Sequence, residues 1–157
     1  MSEKKKQIKK QIIVAVSGGF DPIHIGHVRM FRESKKLGDK LVVILNNDNW
    51  LKLKKGYVFM PQKERKEILE AFKYVDKVIF TKHKPGTKDI SIGKDLRKLK
   101  PDIFAKGGDR SVKNIPIIEG EVCKKINCKI INNIGKGGKV QSSSWLLAKY
   151  KNNSFKK

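Results

Sequence analysis

The sequence predicts an α/β protein: a doubly wound, Rossmann-like sandwich with five parallel strands in the order 3-2-1-4-5 and helices on both faces. Three observations carry this expectation. Short apolar runs at 12–16, 41–45 and 78–80 have the pattern of strands buried on both sides. Stretches with helical spacing alternate with them, as right-handed crossovers require. Glycine pairs end the first and fourth strands, at Gly18-Gly19 and Gly107-Gly108, and in this order those two ends face one crevice.

Taken in order, residues 1–10 form a basic, flexible lead, residues 11–150 a single domain and residues 151–157 a basic, frayed tail. The first strand runs into a helix over about 25–37, with Val28, Phe31 and Leu37 facing inward and Gly38-Asp39 stopping it. The second strand ends in Asn46-Asn47-Asp48-Asn49, followed by a basic loop, Lys52-Leu53-Lys54-Lys55-Gly56. Met60-Pro61 opens the next helix with proline in its first turn, and Ile68, Leu69 and Phe72 have helical spacing. A short third strand at 78–80 leads into a loop at 81–88, where His83 sits among lysines and reads as a surface residue. Asp89 or Ser91 caps a helix ending near Leu99. Strand four, at 103–105, terminates in Lys106-Gly107-Gly108-Asp109. A helix near 117–126, a strand at 129–131 and a glycine loop at 135–138 follow. Ser142-Ser143-Ser144 then caps a last helix through Tyr150.

The 157 residues suit one domain with a sheet covered on both faces. The 37 lysines and arginines outnumber 15 acidic residues, for a net charge of +22, a field that attracts polyanions and nucleotides alike. Lysine supplies most of it, and aromatic residues are not interleaved as base stacking needs. A solvated lysine surface is therefore favoured over a nucleic-acid-binding module, which stays the rival from another class. Cys123 and Cys128 form neither a disulfide framework nor a zinc site and read as buried thiols. The apolar stretch after Lys4, Lys5, Lys6, Lys9 and Lys10 is shorter than the roughly 7–15 residues of a signal peptide. No run approaches the ~18 residues of a membrane span. A soluble, cytoplasmic protein is expected.

Chemistry concentrates in Ser17-Gly18-Gly19-Phe20-Asp21-Pro22-Ile23-His24-Ile25-Gly26-His27. Strand, glycine turn and helix start make a backbone suited to phosphate, with free N–H groups aimed at an anion. His24 and His27, three apart, would share a helix face, and Gly26 between them lets a ligand lie close. The dinucleotide fingerprint and the P-loop are both absent, so a phosphate site on strand one must use this histidine turn.

His24-Ile25-Gly26-His27, after Gly19-Phe20-Asp21 and a strand, resembles the HxGH signature of the nucleotidyltransferase superfamily. The resemblance spans about 14–150. It implies transfer of a nucleoside monophosphate from an NTP to a small phosphorylated sugar or polyol, with pyrophosphate released and Mg²⁺ carried by the NTP phosphates rather than by a protein metal site. It implies His24 and His27 as the phosphate clamp, with a lysine of the basic loop on the triphosphate. Counting from Asp48 selects Lys54; aligning on Gly56 selects Lys55. Arg65 matches an arginine that touches phosphates in those families. Gly18, Gly19, Phe20, Asp21 and Gly26 fall in the nucleotide-binding turn. Lys106-Gly107-Gly108-Asp109 resembles a segment of the heptose-1-phosphate adenylyltransferases, which rank first; glycerol-3-phosphate cytidylyltransferase follows, and archaeal-type FAD synthetase is third. Ser142, Ser143 and Ser144 stand where those families carry a Ser-Thr-Thr stretch over the triphosphate. Dimers are frequent among them, which adds a homodimer to the expectations. The chain departs at Gly19, where many relatives have threonine or valine. It also lacks an arginine before the serines, for which Lys136 or Lys139 could supply charge but not a bidentate fork.

Overall fold

The computed structural model describes residues 8–108, 115–135 and 141–154. Its elements are β1 (Ile13–Gly18), α1 (Ile25–Lys35), β2 (Lys40–Leu45), α2 (Asp48–Lys55), α3 (Gln62–Glu70), β3 (Lys77–Phe80), α4 (Gly93–Leu99), β4 (Ile103–Gly107), α5 (Ile117–Lys125), β5 (Lys129–Ile134) and α6 (Ser143–Ser154). All five strands are parallel, in the expected order β3-β2-β1-β4-β5.

Strand alternation splits the core in two. Val14, Val16, Leu41, Val43 and Leu45 face one side, where they meet Phe31 of α1 and Leu69 of α3. Ala15, Ile44 and Phe104 face the other, against Leu96 of α4 and Val122 and Cys123 of α5. Both faces are therefore dry, which is why the strands read as continuous apolar runs. At the opposite end from the glycine turns, three aspartates fasten the strand starts. The carboxylate of Asp39 accepts from the Ile12 N–H at 2.7 Å, Asp102 from Ile13 at 2.9 Å and Asp76 from Leu41 at 2.7 Å. The Ile13 N–H and the Lys10 ammonium hold the Asp102 carboxyl below its ordinary range.

Several expected details change. The stretch Lys52-Leu53-Lys54-Lys55 is the end of helix α2, not a loop. The Asn47 side chain caps that helix at the Trp50 N–H (3.0 Å), and Gly56, at φ 80°, closes it in the left-handed conformation. Pro61 is the N-cap of α3 and not a residue of its first turn. Neither Asp89 nor Ser91 caps α4: the Asp89 carboxylate accepts from the Ser91 N–H in the preceding turn, and α4 starts two residues later. His83 is half-buried, with one ring nitrogen on Thr81 Oγ1 at 2.9 Å and the other on the Ser91 carbonyl at 3.0 Å, so it braces its loop. Helix α6 continues past Tyr150 to Ser154, taking in the start of the expected tail. Cys123 and Cys128 are buried free thiols. Residues 1–7, 109–114, 136–140 and 155–157 lie outside the described residues, and with them most of the lead, Asp109, Lys136 and Lys139. Among the described residues no helix is long and apolar enough to cross a membrane.

Gly38 is required by close approach. A Cβ there would lie 2.7 Å from Val14 Cγ2 and 2.8 Å from the Ile12 carbonyl oxygen. Gly38→Ala should lose about 1–3 kcal/mol of stability, seen as a lower urea midpoint at unchanged slope.

Candidate active site

A cavity of about 520 Å³ opens over the carboxyl ends of β1, β2 and β4, where the strand order reverses. Both glycine turns, Gly18-Gly19 and Gly107-Gly108, line it, as their placement in the sequence predicts. Gly108 is in the left-handed region at φ 74°, and at Gly19 and Gly107 a side chain would meet a neighbour. A Cβ on Gly107 would meet Met30 Sδ at 2.6 Å, and one on Gly19 would meet Leu51 Cδ2 at 2.8 Å. The departure at Gly19 thus has a local cause: Leu51 of α2 occupies the space that a threonine or valine would need.

His24, Gly26 and His27 form the cavity wall at the start of α1. His24 is not helical; it is the N-cap, extended at φ −149°. Its Nδ1 accepts the Gly26 N–H at 3.1 Å, while Nδ1 of His27 accepts the His24 N–H at 3.2 Å. This reciprocal cap satisfies two orphan donors and stacks the rings with centroids 3.7 Å apart. Since each Nδ1 is an acceptor, each neutral ring carries its proton on Nε2. With each Nδ1 taken up as an acceptor, hydrogen-bond donation by the pair falls to Nε2. Burial, followed by the neighbouring His24 and Lys55 charges, lowers the His27 pKa from 6.5 to about 3. Phe20, in the left-handed region at φ 51°, has a buried ring that stands T-shaped to His27 with centroids 4.7 Å apart. It touches the cavity but acts by fixing that imidazole.

Lys54 and Lys55 both reach the cavity from the last turn of α2. Lys54 is exposed, whereas Lys55 is partly buried beside the Asp21 carbonyl. Burial pushes the Lys55 ammonium below its ordinary pKa, with Asp21 opposing. The structure therefore favours Lys55 as the inner of the two cations. From β4, Lys106 also lines the cavity, but its ammonium is engaged by Glu119 of α5 at 3.0 Å and both groups are buried. Glu119 in turn accepts from the Ile92 N–H at 3.2 Å. On the far side, Ser142, Ser143 and Ser144 open α6 at the cavity. Ser142 Oγ accepts from the Trp145 N–H and lies 2.9 Å from Ser144 Oγ. Ser143 Oγ donates to the Pro22 carbonyl at 2.6 Å, pinning α6 to the histidine turn.

Two expected ligands are not in the cavity. Arg65 is 1% exposed, and four of its N–H groups are used: on the Met60, Gly19 and Asn46 carbonyls and on the Asp48 carboxylate. Asp21 is fully buried, with its carboxylate on the Phe59 and Met60 N–H groups at 2.7 and 2.6 Å. Both shape the cavity from behind. Conversely, the sequence reading passed over Asn46, Trp50, Ile92 and Glu119, which line it. Asn46 was within reach of pattern reasoning, because it directly follows a parallel strand that ends at the crevice. Glu119 was not, since its partner Lys106 is thirteen residues away.

A parallel sheet with an anion-seeking helix start, paired imidazoles and lysines at its switch point defines a nucleotide-binding protein of the Rossmann-like class. The family model described as cytidylyltransferase-like matches residues 15–133, and the chain belongs to that family of nucleotidyltransferases. Its relatives include the FAD synthase of Pyrococcus horikoshii, 40% identical over 102 residues, which are 64% of this chain and 66% of that protein. The FAD synthase of Thermococcus kodakarensis is 37% identical over 111 residues, 70% of this chain and 68% of that one. The match to the Pyrococcus protein thus spans just under two thirds of that relative's length. Among solved structures, the lipopolysaccharide core biosynthesis protein of Thermoplasma volcanium superposes with a TM-score of 0.65 at 29% identity, covering 82% of this chain and 100% of that one. These names put FAD synthase ahead of the sugar-phosphate enzymes that the sequence motifs ranked first.

Two outcomes follow from this geometry. Unfolded histidine charges near 6.5 and native His27 only near 3, so the unfolded state takes up the proton first; stability is full above 6.5 and falls as pH drops toward 3. His27→Gln should flatten that part of the urea-midpoint profile. Glu119→Gln, which leaves the buried Lys106 ammonium without its counter-charge, should cost about 3–5 kcal/mol in the same measurement.

Proposed function

We propose that the chain is an adenylyltransferase that joins ATP to FMN, forming FAD and pyrophosphate. An oxygen of the FMN phosphate attacks the α-phosphorus of ATP, a P–O–P bond forms, and the bond to the bridging β-oxygen breaks as pyrophosphate leaves. No protein nucleophile is needed, so the protein's contribution is positioning and stabilisation of charge. The observation that carries this reading is the stacked imidazole pair, fixed by the reciprocal cap and facing a cavity that Lys55 also lines.

In this role Nε2–H of His24 and of His27 donates to oxygens that gain charge in the transition state. Burial, which lowers the His27 pKa to about 3, makes that ring a neutral donor. Lys55, with Lys54 outside it, balances the phosphate charge. Backbone at Gly18, Gly19, Gly107 and Gly108 admits the nucleotide closely, while Ser142 and Ser144 at the start of α6 add hydroxyl and N–H donors. Ser143 positions that helix. Mg²⁺ carried by ATP would supply charge neutralisation on the phosphate oxygens. Among the described residues, Glu119 is bonded to Lys106 and Asp21 to backbone N–H groups, which fits a metal that arrives on the phosphates. A second reading, nucleotidyl transfer to a sugar phosphate, is supported by the Thermoplasma volcanium neighbour, named for lipopolysaccharide core biosynthesis.

Incubation with Mg²⁺, ATP and either FMN or a sugar 1-phosphate separates the two, with pyrophosphate and the dinucleotide product measured together. FAD formation is expected; pyrophosphate released with the sugar phosphate alone would transfer the assignment to the second reading. His24→Ala, His27→Ala and Lys55→Ala should each lower the rate about 10²–10³-fold while the urea transition survives.

A further inference from the structure

The cavity has two ends, on either side of the histidine turn. Toward β5 it is walled by Gly135, Gln141 and the serines of α6. Toward β2 it is walled by Trp50, Ile90 and Ile92, with Asn46 in its lining. Trp50, Ile90 and Ile92 give this second end an apolar surface, beside which the cavity-lining Glu119 accepts from the Ile92 N–H. The Trp50 indole is fixed by its Nε1–H, which donates to the Ile90 carbonyl at 2.9 Å. Its ring edge stands beside Gly19, 3.7 Å from where a Cβ would be, so it adjoins the phosphate turn.

Asn46 is the anomaly here. It is only 4% exposed, and its backbone is held on both sides: its N–H donates to the Gly18 carbonyl at 2.9 Å, and its carbonyl accepts from Arg65 Nη1 at 2.8 Å. Yet its side-chain oxygen has no hydrogen-bond partner. A buried amide oxygen left unpaired is unfavourable, and such atoms in native proteins call for a cause. The neighbouring asparagine behaves in the opposite way. Asn47 is used at both side-chain atoms, capping Trp50 and donating to the His83 carbonyl.

We propose that Asn46 is the residue that selects the acceptor, its amide pairing with the cyclic imide edge of a flavin ring seated against Trp50. The inference rests on the FAD-forming reading and deepens it. An imide presents an N–H between two carbonyls, and a primary amide is its complement: Oδ1 accepts that N–H while Nδ2 donates to an adjacent carbonyl. Rotation of the amide within the lined cavity gives the oxygen the partner it lacks. A sugar phosphate has no such edge and would leave the amide unpaired, which is how a polar site rejects a substrate.

The test uses flavin fluorescence to measure binding of FMN and of N3-methyl-FMN, which keeps ring and phosphate but loses the imide proton. ATP binding is measured in parallel, so that a folding defect is recognised. Wild type should bind FMN about tenfold more tightly than the methylated analogue, the worth of one hydrogen bond. Asn46→Ala and the near-isosteric Asn46→Leu should bring that ratio to about one while ATP binding persists. A ratio unchanged in variants that still bind ATP overturns the role of Asn46 alone. A wild type that binds ATP but neither flavin overturns the FAD-forming reading and this inference with it.

Discussion

The site depends on one buried cation. The Arg65 guanidinium reaches from α3 to carbonyls at the ends of β1 (Gly19) and β2 (Asn46), to the Met60 carbonyl and to the Asp48 carboxylate at the start of α2. A charge so deeply enclosed is tolerated only because nearly every donor is matched. Once it is matched, the relative positions of two strand ends and two helices are set by a rigid planar fork. Asp21 completes the arrangement from the other side by holding the Phe59 and Met60 N–H groups. The glycine turn and Asn46 carry carbonyls that Arg65 holds, and the lysines of α2 lie between Asp48 and Phe59, which Arg65 and Asp21 hold.

On that frame the histidines do two things with one set of bonds. Helix α1 starts without a serine, threonine or aspartate cap; imidazole nitrogens take that place. Capping consumes the Nδ1 lone pairs and so chooses the tautomer. Local helix chemistry and the direction in which the rings can donate are one fact, and neither ring can be replaced by a conventional cap without losing the other property.

Much of the fold was legible because buried parallel strands write themselves as apolar blocks, and glycine turns mark their ends. The strand order and the meeting of Gly18-Gly19 with Gly107-Gly108 follow from those blocks and from crossover handedness. Position within the site was less legible. Arg65 and Asp21 carry the composition of phosphate and metal ligands, and only three-dimensional partners reveal that they face inward. The lysine stretch looked like a loop because its helix spans just eight residues and its cap, Asn47, sits in a run of polar residues. Lys54 and Lys55 differ by one position in sequence, but by a 100° turn in a helix, and that rotation separates an exposed amine from a half-buried one.

The hydroxyl of Ser143 meets the Pro22 carbonyl across 121 positions of chain. Synthesis from the amino end therefore finishes the sheet's centre, the imidazole cap and the lysine helix well before it supplies the serine wall. The anion cradle is open on one flank until α6 docks. Closure of the cradle thus depends on a contact between segments far apart in sequence, and the histidine motif alone does not complete it.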